Sequence, residues 1–60
     1  MKRYRVWIKD TFVDITAECM EMYSVDKKPV KIRFYDNDEN VIAEFYCDNI
    51  CGWAEVNYAS

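Results

Sequence analysis

Three cysteines, Cys19, Cys47 and Cys51, carry the most reactive side chains in this sequence. Cys47 and Cys51 are spaced like half of a structural zinc site, and Asp48 could add a carboxylate oxygen. Structural zinc sites use two such pairs, however, and only one is present. By strand alternation Cys19 and Cys47 fall at inward positions, where a free cysteine packs as a small apolar residue. The expectation is therefore buried, unligated thiols and no metal. An odd cysteine count also argues against a disulfide framework. Histidine is absent, which removes the commonest general base and the commonest metal ligand. Ser24 and Ser60 have no partner base in any pattern. A single glycine leaves no Gly-rich loop to cradle an oxyanion or a phosphate. Asp14 and Glu18 fall at outward strand positions, in water. Asp36, Asp38 and Glu39 share a turn, but no Gly and no bidentate Glu follow at the offsets of a calcium loop, so a solvated turn is expected. No catalytic, metal or nucleotide motif emerges, and the expectation is a non-enzyme without a cofactor.

What remains is aromatic and cationic. Trp7, Tyr35, Ile42, Tyr46 and Trp53 fall at positions pointing away from the assigned core, with Arg5, Lys31 and Arg33 among them. Aromatic residues and arginine together are the usual composition of interface hot spots. Stacking rings interleaved with cations could also hold a base or a nucleotide. The plainer reading is that these rings cover their neighbours and that Arg33 simply pairs with Glu44 across two strands. Several large outward aromatics on so short a chain still favour a partner-binding or self-association surface.

The elements that would position these residues are strands. Tyr4 to Lys9 alternates, with Tyr4, Val6 and Ile8 inward. Phe12 to Cys19 alternates again, with Val13, Ile15, Ala17 and Cys19 inward. Pairing Ile8 with Val13, Val6 with Ile15 and Tyr4 with Ala17 matches the apolar faces and sets Arg3 against Glu18 and Arg5 against Thr16. The phase then slips, because Met20 and Met22 favour the core while Glu21 favours water. A strand bent through a bulge is favoured over a short helix, which would lack a clean cap and have only about six residues. Ser24 to Pro29 reads as a loop, with Met22 facing Val30, Met20 facing Ile32 and Glu21 facing Lys31.

The clearest hairpin follows, from Val30 to Cys47 around a turn at residues 36–40. Its expected inward pairs are Phe34 with Ala43, Ile32 with Phe45 and Val30 with Cys47. Outside, Tyr35 meets Ile42, Arg33 meets Glu44 and Lys31 meets Tyr46. A one-residue slip would bury Glu44 against Ile32, so that slip is disfavoured. Asp48 as N-cap and Gly52 as the residue after the C-cap bracket one short 3₁₀ turn. Trp53 to Tyr58 then alternates as a last strand, with Ala54, Val56 and Tyr58 inward.

The predicted fold is all-β: one domain over residues 1–60, a small five-stranded antiparallel sheet or barrel with one 3₁₀ turn before the last strand. This order resembles the Sm-like and Src-homology-like small barrels, in which a long second strand bends and the last strand closes against the first. The resemblance is topological and implies no particular function.

Sixty residues build only a thin core, so a partner subunit would add stability, and a homo-oligomer (dimer or higher) is expected. A net charge of −3 argues against direct nucleic-acid binding, which rests on Lys and Arg neutralising phosphates. With eight basic residues present, imitation of nucleic acid by an acidic surface is only a weak signal. No apolar run is long enough to span a membrane. Met1-Lys2-Arg3 is followed by no apolar signal segment, because Asp10, Asp14 and Glu18 interrupt the chain, so a cytoplasmic location is expected. Size, acidity and absent chemistry resemble the small accessory proteins carried by phages and other mobile elements. The expected function is binding and inhibiting a host protein. The alternatives are an oligomeric sponge for a small nucleotide-like ligand and a structural subunit of a larger assembly.

Overall fold

The structure is a computed structural model and describes residues 1–56. It is all-β, with six strands and one 3₁₀ turn: β1 Lys2–Ile8, β2 Thr11–Ala17, β3 Cys19–Val25, β4 Lys28–Tyr35, β5 Val41–Tyr46, the turn Cys47–Asn49, and β6 Gly52–Glu55. Two three-stranded antiparallel sheets form, in the orders β2-β1-β6 and β3-β4-β5. They do not close into a barrel. No helix among the described residues is long and apolar enough to cross a membrane.

Six strands replace the expected five because the long second strand is broken rather than bent. Ala17 ends β2 in the first sheet and Cys19 begins β3 in the second. Glu18 is the corner between them, and its N–H donates to the carbonyl of Tyr35 on β4 at 2.8 Å. Changing sheets within one residue resets the in-and-out phase, which accounts for the slip in the pattern. Ala17 faces inward from β2, Met20 faces inward from β3, and Cys19 is exposed rather than buried.

Two hairpins are tighter than expected. β1 and β2 are joined by Lys9 and Asp10 alone, so Tyr4 lies opposite Ile15, Val6 opposite Val13, and Arg5 opposite Asp14 rather than Thr16. Arg3 correspondingly meets Thr16, not Glu18. β3 and β4 are joined by Asp26 and Lys27, which sets Met20 opposite Phe34, Glu21 opposite Arg33 and Met22 opposite Ile32. Both corrections are shifts of two residues, so the side chains paired on either side of them keep their faces. Asp26 and Lys27 have φ of 50° and 68°, and Lys9 has φ of 48°. Such left-handed conformations suit two-residue hairpin turns, but glycine or asparagine usually supplies them.

The β4–β5 hairpin has the expected pairs Ile32 with Phe45, Phe34 with Ala43, Arg33 with Glu44 and Lys31 with Tyr46. Ile42 is an extra residue in a bulge, so Tyr35 lies opposite Val41 instead. Val30 is similarly the extra residue where β4 shifts against β3, and it reaches the surface rather than meeting Cys47. In the connecting turn the Asp36 carboxylate accepts the N–H groups of Asp38 and Asn40, both at 2.9 Å. That carboxylate organises backbone and is held below its ordinary pKa, first by the Asn40 N–H and also by Asp38.

β6 reverses its expected phase. Val6 lies opposite Trp53 and Arg5 opposite Ala54, so Trp53 shares the inner face while Ala54 is outside. Cys47 and Ile50 pack against the core from the preceding connection, and β6 enters after them one step out of phase. Its pairing with β1 is bracketed by two bonds, from the N–H of Cys51 to the Trp7 carbonyl and from that of Val56 to the Arg3 carbonyl, both 2.7 Å. The 3₁₀ turn is capped by neither expected residue: Asp48 lies within it and Gly52 begins β6. The expected inward Tyr58 lies outside the described residues.

The core is Tyr4, Val6, Ala17, Ile32 and Phe34, with Ile8, Ile15, Met20, Ala43 and Phe45 partly buried around it. Phe34 sits at its centre. Its ring is tilted against Tyr4 at 5.0 Å and edge-on to Phe45 at 6.1 Å, distances at which aromatic pairs attract beyond their buried area. The two inner faces overlap only over this middle. Val13 and Met22, expected in the core, are therefore exposed at its margins.

Candidate functional site

Residues opposite one another share a face, so the register sorts the candidate residues onto two different sheets. On the outer face of the first sheet, Trp7 lies between Phe12 and Gly52, and Arg5 lies between Asp14 and Ala54. Trp7 and Phe12 are 39% and 47% exposed, side by side. The Arg5 guanidinium lies 3.9 Å from the centre of the Phe12 ring, in cation–π range. It is held there by a two-pronged bond to Asp14, Nε to Oδ1 at 2.8 Å and a terminal nitrogen to Oδ2 at 3.1 Å. This bond holds the Asp14 carboxyl below its ordinary pKa. On the other flank, Gly52 leaves open space where a side chain would stand, with nothing within 4 Å of an added Cβ. The result is an aromatic ridge with one flank stiffened by a fixed cation and the other bare.

The outer face of the second sheet carries Lys31, Arg33, Tyr35, Ile42 and Tyr46, and its charges are already satisfied. Arg33 and Lys31 converge on the same oxygen of Glu44: Arg33 through its Nε, and Lys31 at 3.3 Å. The Arg33 bond, with Lys31 behind it, holds the Glu44 carboxyl below its ordinary pKa. Glu44, and then Tyr35, push the Arg33 guanidinium up. Both cations also lie over the Tyr23 ring, Arg33 at 4.9 Å and Lys31 at 5.6 Å. The hydroxyls of Tyr23 and Tyr35 share a hydrogen bond of 2.7 Å, and Tyr23 donates to Glu21 at 3.1 Å. The bond shared with Tyr35, partial burial and the bond to Glu21 together push Tyr23 up to about 12.

The eight residues expected to form one surface are thus split. Arg5 and Trp7 lie on the first sheet. Lys31, Arg33, Tyr35, Ile42 and Tyr46 lie on the second. Trp53 stands at the inner-face margin beside Val6. The structure also brings in two residues the sequence reading did not single out, Phe12 and Tyr23. The signal for both was present: Val13 inward puts Phe12 outward, and Glu21 outward puts Tyr23 outward, because side chains alternate.

The thiols are scattered. Cys19 lies opposite Tyr35, Cys47 is half-buried in the 3₁₀ turn, and the exposed Cys51 has its sulfur 4.0 Å from the Lys9 carbonyl. Among the described residues no three of His, Cys, Asp or Glu are grouped as metal ligands, and no enclosed pocket is found.

No family model, no curated protein and no solved structure matches this chain. Its chemistry therefore has to be taken from the two faces. They offer flat aromatic surface, fixed guanidinium groups and neutralised ion pairs, an arrangement suited to holding another surface.

Proposed function

We propose that this protein is a small non-catalytic binding domain that engages a protein partner through the outer face of its first sheet. The proposed biological role is that of an accessory protein of the phage or mobile-element kind, which occupies and inhibits a host protein. One observation carries the choice of face. Trp7 and Phe12 stand exposed and adjacent, with Arg5 already fixed over Phe12 by Asp14. Aromatic residues and arginine dominate interface hot spots, and groups held in place before binding lose less entropy on association. The second sheet offers less, since Lys31 and Arg33 would have to leave Glu44 before meeting a new anion.

Size makes this face the centre of a larger interface rather than the whole of one. Two strands of seven residues and one of four, about 4.8 Å apart, present roughly 280 Å². A standard interface takes about 800 Å² from each partner. The face is large enough to be the centre of an interface but too small to be all of one. A partner protein and a second copy would alike need further surface around it. A nucleotide sponge would need a pocket made between subunits, since none is enclosed within the described residues. For the fold itself, β6 pairing with β1 directly after a 3₁₀ turn supports reading the two sheets as an opened form of the Sm-like or Src-homology-like meander.

The test is affinity capture from a host lysate with the wild-type protein and with Trp7→Ala and Phe12→Ala, each checked by thermal melting. The expected result is a partner lost by both variants while the fold persists. Equal capture by all three proteins would remove the first sheet from consideration. A thermal-shift screen against nucleotides checks the second reading, where stabilisation that disappears in Arg33→Ala would favour it.

A further inference from the structure

We draw no further inference here: the strongest candidate, the exposed apolar strip of Val41, Ile42 and Tyr46 along the edge strand β5, is unpartnered, and nothing in the structure shows what covers it.

Discussion

Replacing Phe34 and Phe12 in turn by alanine makes the same chemical change at two depths, so the pair tests the packing and the proposed face together. Phe34 is 0% exposed and touches rings on both sides, Tyr4 from the first sheet and Phe45 from the second. Its truncation removes the transfer gain of a whole side chain and leaves a cavity, a loss of about 3 to 5 kcal/mol. Phe12 is 47% exposed and lies on an outer face, so its truncation forfeits roughly half the transfer gain, about 1 kcal/mol, and opens no cavity. A chain of 60 residues has a total stability of about 3 to 9 kcal/mol. Phe34→Ala is therefore expected to lose half or more of the total stability, with a steep fall in the urea midpoint, whereas Phe12→Ala should stay folded with a modestly lower one. Far-ultraviolet circular dichroism through a urea titration measures both. Because Phe34→Ala can leave no folded baseline, Phe34→Leu provides an intermediate loss on the same scale. Equal losses in Phe34→Ala and Phe12→Ala would refute the assignment of inner and outer faces on which the candidate site rests.

Tyrosinate absorbance on raising pH should show Tyr23 titrating late, near 12, and Tyr35→Phe should bring it back toward 10. Since the folded value is the higher one, this group's contribution to stability is complete below about pH 10 and is lost as pH rises toward about 12. The carboxyls of Asp14, Asp36 and Glu44 are shifted the other way. Their contribution is complete above the ordinary carboxylate range and is lost as pH falls through their lowered values, so the urea midpoint should drop progressively as pH falls below about 5. Salt should blunt the part of that drop due to Asp14 and Glu44, because their ion pairs are partly exposed. Lys27→Gly should raise stability by about 0.5 kcal/mol in thermal melts, because relief of the left-handed cost slightly exceeds the extra freedom glycine gives the unfolded chain. Gly52→Ala has open space and no positive φ to strain, so it should raise the melting point slightly through the unfolded state; a fall would mean that β6 needs its bare backbone.

Alternation made the faces of β1, β2 and β4 legible, because a period of two survives any even shift in register. The registers themselves were less legible. Tyr4 can face Ala17 or Ile15, and both satisfy the apolar pattern. The deciding information lay in the turns, where Lys9, Asp26 and Lys27 adopt left-handed conformations without the glycine or asparagine that usually marks them. The β4–β5 register was fixed from inside the strands, since a slip would bury Glu44. The phase of β6 could not be read from Trp53-Ala54-Glu55-Val56 alone. A four-residue strand offers only Trp53 and Glu55 on one parity and Gly52 and Ala54 on the other, and its placement depends on Ile50 and Cys47 entering the core before it.

The site shows a different limit, because composition identifies hot-spot residues but not whether they are already engaged. Lys31, Arg33 and Tyr35 have the composition of a binding surface, yet each already has a partner: Glu44 holds the two cations, and Tyr23 shares its hydroxyl with Tyr35. A new ligand there must first break those bonds, so its net gain is the difference between two similar interactions. Arg5 is also paired, but its pairing has the opposite effect, because Asp14 fixes the guanidinium over Phe12 and leaves Phe12 and Trp7 half-open to solvent. What those two rings still lack is a second apolar surface. A partner that supplies one breaks no ion pair on the first sheet, which is why the expected anchors contract from eight residues on two sheets to Trp7 and Phe12, supported by Arg5.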